Sequence, residues 1–363
     1  MRVVIAPDSF KGTATAAQAA RALADGWRSV RPHDDLVLLP MADGGEGTLE
    51  AVASATPGTE MRLVPGCTGP DGRSVDGAYA MLPDGTALVE LAFASGLPLL
   101  EGRIAPLTAT TRGTGETIAR ALDDGARRLV VALGGSASTD GGAGLLSALG
   151  LRLLDADGRL LTDGGGALVQ AATADLTALR PPPPGGVLLL SDVTNPLRGP
   201  EGAAAVYGPQ KGAGPGEVAH LDRGLARLAT LLGGEPEAPG AGAAGGTAYG
   251  LAAAWDARLV PGSAAIADLL ALDRELAAAD LLITGEGCFD RTSSLGKAVG
   301  ESLHRAHRAG TSAAVVAGRV AAADDRAHTL LALTALAGDD VSARAHAPHW
   351  LRRAGATLAA EAF

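Results

Sequence analysis

MRVVIAPDSFKGTATAAQAARALADG, Met1 to Gly26, carries in one stretch the pattern from which the fold is read. Val3 to Ala6 is a short apolar run without polar alternation, the form of a strand buried on both faces of a parallel sheet. Thr15 to Asp25 is alanine-rich and amphipathic, with Thr15 and Gln18 spaced for a capping box and Gly26 placed to close the helix. Between them lies APDSFKG, Ala6 to Gly12, at a strand's carboxyl end and ahead of a helix N-terminus, where bare N–H groups favour anions. Strand, polar glycine loop and helix make one βα unit.

Similar runs recur at helix-length spacing: Leu36 to Leu39, Leu129 to Leu133, Val187 to Leu190, Leu281 to Thr284 and Ala313 to Val316, with Leu330 to Ala335 a further candidate. The alternation predicts an α/β protein of doubly wound character. The middle differs, because Gly69 to Glu90 sets Asp-Gly pairs at Asp71, Asp76 and Asp84 among short alternating runs, which is hairpin chemistry. Pro181 to Pro184 reads as a stiff connector and Gly233 to Gly246 as a loop. Two domains are therefore expected: a flavodoxin-like parallel-sheet domain formed by both chain ends, residues 1–58 plus 268–363, and an inserted second α/β domain, residues 59–267. The ligand crevice of such a sheet lies at the strand carboxyl ends, and the chemistry is expected in a cleft between the domains.

With 363 residues, the chain exceeds what one core usually serves. A formal charge of -10 excludes the basic face that a nucleic-acid or anionic-membrane partner requires. Cys67 and Cys288 are too few for a disulfide framework or a zinc knuckle. The apolar start is too short for a signal-peptide core, and no run approaches a membrane span, so a cytoplasmic protein is expected, as monomer or homodimer. The lysines Lys11, Lys211 and Lys297 each touch a glycine in a glycine-rich segment, in a chain that otherwise uses arginine for positive charge. A compact ammonium beside bare backbone suits phosphate.

Five segments carry chemistry. In the first, Asp8, Ser9 and Lys11 project after the opening strand; a capped turn with a solvated lysine is the competing reading. In PMADGGEGT, Pro40 to Thr48, Asp43 and Glu46 flank two glycines, a placement able to hold Mg²⁺ or orient a hydroxyl. LGGSASTDGGAG, Leu133 to Gly144, offers Gly134, Gly135, Ser136 and Ser138 as an anion cradle, with Asp140 capping the next helix or facing a metal. In SDVTNP, Ser191 to Pro196, Asp192 sits just past a strand, where a general base or metal ligand is mounted, with Asn195 and Lys211 as polar partners. TGEGCFDRTSSLGK, Thr284 to Lys297, brings Glu286 and Asp290 as candidate Mg²⁺ or hydroxyl ligands and Lys297 at a helix start. Acids, lysines and anion cradles without a nucleophilic thiol or a histidine base are the inventory of phosphoryl transfer. No Walker A motif is present, and GAGAAG, Gly240 to Gly245, matches the dinucleotide glycine spacing but follows no predicted strand.

The ordered set APDSFKG, PMADGGEGT, ELAFASGL, TTRGTGE, LGGSASTDGGAG, SDVTNPL, YGPQKGA and TGEG closely resembles the bacterial glycerate kinase family over nearly the whole chain. The resemblance implies ATP-dependent phosphorylation of D-glycerate with Mg²⁺, with 2-phosphoglycerate favoured over 3-phosphoglycerate as product. On that reading glycerate sits near Asp8, Ser9 and Lys11, with Asp43, Asn195 and Asp290 as further substrate contacts. Asp192 accepts the hydroxyl proton, Asp43, Glu286 or Asp290 hold Mg²⁺, and Gly134, Gly135, Ser136, Lys211 and Lys297 serve ATP. Cys288 departs from the pattern, standing where the family commonly has arginine, with Arg291 or Arg112 as candidates to compensate. A kinase of a related small hydroxy acid and a non-catalytic sensor of an acidic metabolite are the alternatives.

Overall fold

A computed structural model describes residues 1–293 and 297–362. The chain divides into two compact units, Met1–Asp43 with Glu50–Pro57 and Pro261–Phe363, and Gly44–Leu49 with Gly58–Val260. Gly44–Leu49 goes with the second unit because Gly134 N donates to Gly44 O at 3.1 Å and Gly47 N and Leu49 N donate to the Glu90 carboxylate at 3.1 and 3.0 Å.

The first unit is built on five parallel strands in the spatial order Asp35–Leu38, Arg2–Ile5, Leu281–Phe289, Ser312–Val320, Thr329–Ala332. Numbered along the chain, that order is 2-1-3-4-5, the flavodoxin-like winding expected of both chain ends together. Val3, Val4 and Ile5 are fully buried, as their unbroken apolar run requires. Two strands are longer than the sequence suggests: Leu281–Phe289 continues past Thr284, and Ser312–Val320 past Val316. Glycines permit it, since a Cβ on Gly285 would lie 1.9 Å from Val316 O and one on Gly318 2.4 Å from Gly287 O.

The capping box forms as expected: Thr15 Oγ1 accepts from Gln18 N at 3.2 Å, and Gln18 Oε1 accepts from Thr15 N at 3.1 Å. Gly26 does not close the helix, which runs Ala16–Val30. Its role is packing. A Cβ on Gly26 would meet Arg352 O at 1.9 Å and one on Gly355 would meet Leu23 O at 2.1 Å, so helices Ala16–Val30 and Ala347–Glu361 cross backbone to backbone.

The second unit holds a six-stranded sheet in the order Arg258–Val260, Val187–Leu190, Arg128–Ala132, Thr86–Glu90, Ser74–Met81, Glu60–Thr68. The first four run parallel and the last two are antiparallel hairpin additions. Asp71-Gly72 and Asp84-Gly85 lie at the turns, but Asp76 does not, because Ser74–Met81 runs through it. Gly77 is there for close packing: its Cβ would lie 2.3 Å from Thr117 Oγ1 and 2.9 Å from Cys67 Sγ. Among the described residues no helix is long and apolar enough to cross a membrane.

Gly26→Ala would ordinarily gain up to about 1 kcal/mol of helix propensity. Here the backbone of Arg352 occupies the space, so the substitution is expected to lower stability by about 1–3 kcal/mol, read as a lower midpoint in urea unfolding of the full chain.

Candidate active site

The carboxyl ends of the first unit's strands form a pocket of about 390 Å³. Into it face Asp8, Ser9 and Lys11 from the loop after Arg2–Ile5, Asp43 from the segment after Asp35–Leu38, and Glu286, Cys288 and Asp290 from the long central strand and its end. Lys297 joins them from the N-cap of helix Ala298–Ala309. The loop is pinned to the sheet: Asp8 N donates to Gly285 O at 2.8 Å and Thr284 Oγ1 to Ala6 O at 2.8 Å. Phe10, Thr13 and Ala14 close it as a tight turn. Asp8, Ser9, Lys11, Asp43, Glu286, Asp290 and Lys297, far apart in sequence, thus share one site.

Its electrostatics are set first by burial and then by crowded acids. Burial pushes the Asp8 carboxyl up to about 7, the Asp43 and Glu286 charges push the same way, and the Ser9 N–H, at 2.6 Å from Asp8 Oδ1, and Lys11 oppose them. Burial also raises Glu286, against the pull of Ser293 and Lys297. Asp290 is held below the usual carboxylate range because its Oδ1 accepts from Thr292 N and Thr292 Oγ1, each at 2.7 Å. Glu286 Oε1 is buried with no hydrogen-bond partner among the described residues. A buried carboxylate oxygen in that state suits a cation. No group of three or more His, Cys, Asp or Glu side chains is arranged as a metal site among the described residues.

The remaining expected site residues belong to the second unit. Gly134 and Gly135 follow strand Arg128–Ala132; a Cβ on Gly134 would lie 2.5 Å from Gly45 Cα, and Gly135 has φ +76°. Ser136 is buried beside them. Asp140, left between two roles by the sequence, is a structural anchor. Its carboxylate accepts from Thr111 N at 2.9 Å, Thr111 Oγ1 at 2.8 Å, Ser138 Oγ at 3.1 Å, and Gly142 N and Gly144 N at 3.2 Å. Lys211 is buried, 5% exposed, and donates to Ser138 O. Burial lowers its ammonium to about 8, while Asp140 resists the shift. Asn195 is engaged at both ends, donating to Glu201 O at 2.8 Å and accepting from Tyr207 at 2.7 Å. Asp192 is exposed just beyond strand Val187–Leu190, and Glu46 is exposed in Gly44–Leu49. GAGAAG follows helix Pro215–Leu232 and a loop rather than a strand. Gly245 O accepts from Gly141 N at 2.9 Å, so the segment braces the glycine-rich loop from Leu133 to Gly144.

A sequence model of the glycerate kinase family matches residues 3–362. The chain belongs to the glycerate kinase family. As a member it is a kinase, with ATP as co-substrate. It is 44% identical over 305 residues to a glycerate kinase of Bacillus subtilis, covering 82% of this chain and 79% of that one. It is 41% identical over 305 residues to the glycerate 2-kinase of Escherichia coli, covering 82% and 80%. A crystal structure described as a candidate glycerate kinase 2 from Salmonella typhimurium LT2 superposes with a TM-score of 0.87 at 37% identity, over 99% of this chain and 98% of that one.

Arg112, one of the two arginines expected to compensate for Cys288, is already paired. That side chain forms a two-point ion pair with Asp163, at 2.5 and 2.7 Å, in the second unit. Arg291 is exposed in the turn after Asp290. Sequence reasoning missed three charged residues that line the pocket, Asp340, Arg344 and, beside Cys288, Arg319. The signal for Arg319 lies in AGRV, which extends the Ala313 run to the same sheet edge as Glu286.

A buried lysine whose folded pKa is near 8 and whose unfolded value is near 10.5 binds fewer protons folded than unfolded between those values. Its contribution to stability therefore rises from pH 8 to 10.5. Urea midpoints measured across that window are expected to shift in favour of the wild type relative to Lys211→Met, which cannot titrate.

Proposed function

We propose that the protein transfers the γ-phosphoryl group of ATP to D-glycerate, giving 2-phosphoglycerate, and that glycerate is held in the first-unit pocket. The observation that carries this is Asp8, a carboxylate at a strand's carboxyl end with its pKa raised to about 7, beside Lys11 and the acids Asp43, Glu286 and Asp290. A group that titrates near neutrality within reach of a bound hydroxyl is suited to general-base work. The hydroxyl oxygen attacks the γ-phosphorus, the bond to the β–γ bridging oxygen breaks, ADP departs, and the hydroxyl proton passes to Asp8. Ser9 and Lys11 orient the substrate.

One or two of Glu286, Asp43 and Asp290 would hold Mg²⁺. The ion, when bound, neutralises phosphate charge. Lys297, at the start of helix Ala298–Ala309, stands where the helix dipole favours phosphate. Gly134, Gly135 and Ser136 offer N–H and hydroxyl donors to ATP. Lys211 serves the same loop from beneath, holding the Ser138 carbonyl. Asp192 is the second candidate for the base. The name of the Escherichia coli relative, glycerate 2-kinase, supports the 2-phospho product. A kinase using ATP in this way is proposed to act in the cytoplasm.

In a coupled assay, enolase consumes 2-phosphoglycerate directly, so a signal without added mutase supports that product and a signal only with mutase assigns the 3-isomer. ADP release from ATP, Mg²⁺ and D-glycerate separates the enzyme from a non-catalytic sensor. Asp8→Asn is expected to lower kcat at least ~10²-fold, with Asp192→Asn far milder; the reverse ranking moves the base to Asp192. Asp8 must be unprotonated to accept a proton, so kcat/KM of the wild type should fall as pH drops below about 7.

A further inference from the structure

We propose that Arg319 is the residue that recognises the substrate's carboxylate, and so sets the preference for a hydroxy acid over an uncharged polyol. The inference rests on the glycerate reading above. Strands Leu281–Phe289 and Ser312–Val320 pair in parallel with Cys288 opposite Arg319. Side chains opposite one another in a pair share a face. Arg319 therefore enters the pocket beside Cys288, with Nη2 3.6 Å from Sγ.

Three observations single out this guanidinium. It is exposed in the pocket, its recorded hydrogen bond goes to the Cys288 sulfur, and the Asp340 and Asp290 charges act on it without an ion pair to it among the described residues. The other positive groups there are committed or of the wrong shape: Arg344 pairs with Asp340 at 2.9 Å, Lys297 donates to Thr292 Oγ1 at 3.1 Å, and Lys11 is a point charge. Only a planar fork meets a carboxylate with two parallel hydrogen bonds. The second reason is repulsion. An anionic substrate entering a pocket lined by Asp8, Asp43, Glu286 and Asp290 is excluded unless a cation meets its own charge. The third is position, since the hydrogen bond that Arg319 Nη2 makes to Cys288 Sγ, at 3.6 Å, goes to a weak acceptor that a carboxylate would replace.

Steady-state kinetics of the full-length protein test this, with ATP as donor and D-glycerate or glycerol as acceptor. Arg319→Ala is expected to raise KM for D-glycerate roughly 10- to 100-fold, the worth of a charge-assisted pair, with KM for ATP unchanged. The ratio of kcat/KM for D-glycerate over glycerol should fall by the same factor. Arg319→Lys, which keeps the charge and loses the fork, should recover only part of the loss. Cys288→Arg combined with Arg319→Ala returns a guanidinium to the paired strand and should restore most of the glycerate preference. Unchanged KM for D-glycerate, a rise in KM for ATP instead, or equal losses on both acceptors would overturn the assignment. A wild type that turns over no D-glycerate overturns the glycerate reading and this inference with it; intact wild-type turnover with an unaffected Arg319→Ala overturns this inference alone.

Discussion

The pairing of strand Arg2–Ile5 with Leu281–Phe289 is the contact on which the first unit depends. Val3, Val4 and Ile5 register against Leu281, Leu282 and Ile283, and Asp8 N then bonds Gly285 O at 2.8 Å. The paired residues lie 278 positions apart in the sequence, and these contacts bring Asp8 beside Glu286. A parallel pair cannot be closed by a short turn. Both chain ends must therefore meet before the pocket exists. The buried apolar faces of the strands provide the drive, and the glycines at 285 and 318 let the pairing continue to where the polar side chains stand.

The pocket both buries its carboxyls and sets them beside one another. Asp8 yields by rising to about 7, and Asp290 escapes by accepting hydrogen bonds from its own turn. Burial raises Asp8 first, the neighbouring acids add to it, and local hydrogen bonds lower Asp290, so the two carboxyls are pushed apart and the one raised is best placed to move protons. The second unit handles its buried charge differently. Asp140 is saturated by five donors and Lys211 binds a backbone carbonyl, so these two side chains shape the loop that offers N–H groups from Gly134 and Gly135.

The apolar runs at Val3, Leu36, Leu129, Val187, Leu281 and Ala313 were legible as strands because buried parallel strands leave an unbroken apolar signature. The clustering of Asp8, Ser9, Asp43, Glu286 and Asp290 was legible because each follows such a run. What stayed hidden depended on neighbours in space. Gly26 reads as a stop signal, and only the backbone of Arg352 makes it a packing residue; Gly77 reads as a turn until Thr117 is seen against it. Arg319 was missed because the strand was read as ending at Val316, before the glycine that lets it continue. Lys211, conspicuous by its rarity, reads as a phosphate ligand, but its burial and its bond to Ser138 are tertiary facts.

The discontinuous first unit also has a consequence in time. The strand at Arg2–Ile5 leaves the ribosome long before its partner at Leu281–Phe289 has been made, whereas the sheet of the second unit is complete once Val260 is out. At synthesis rates of roughly 5–20 residues per second, the first apolar strand waits on the order of tens of seconds without its central neighbour. During that interval Val3, Val4 and Ile5, fully buried in the finished protein, are exposed to the cell, and the nascent chain rather than the mature enzyme is the form most open to aggregation.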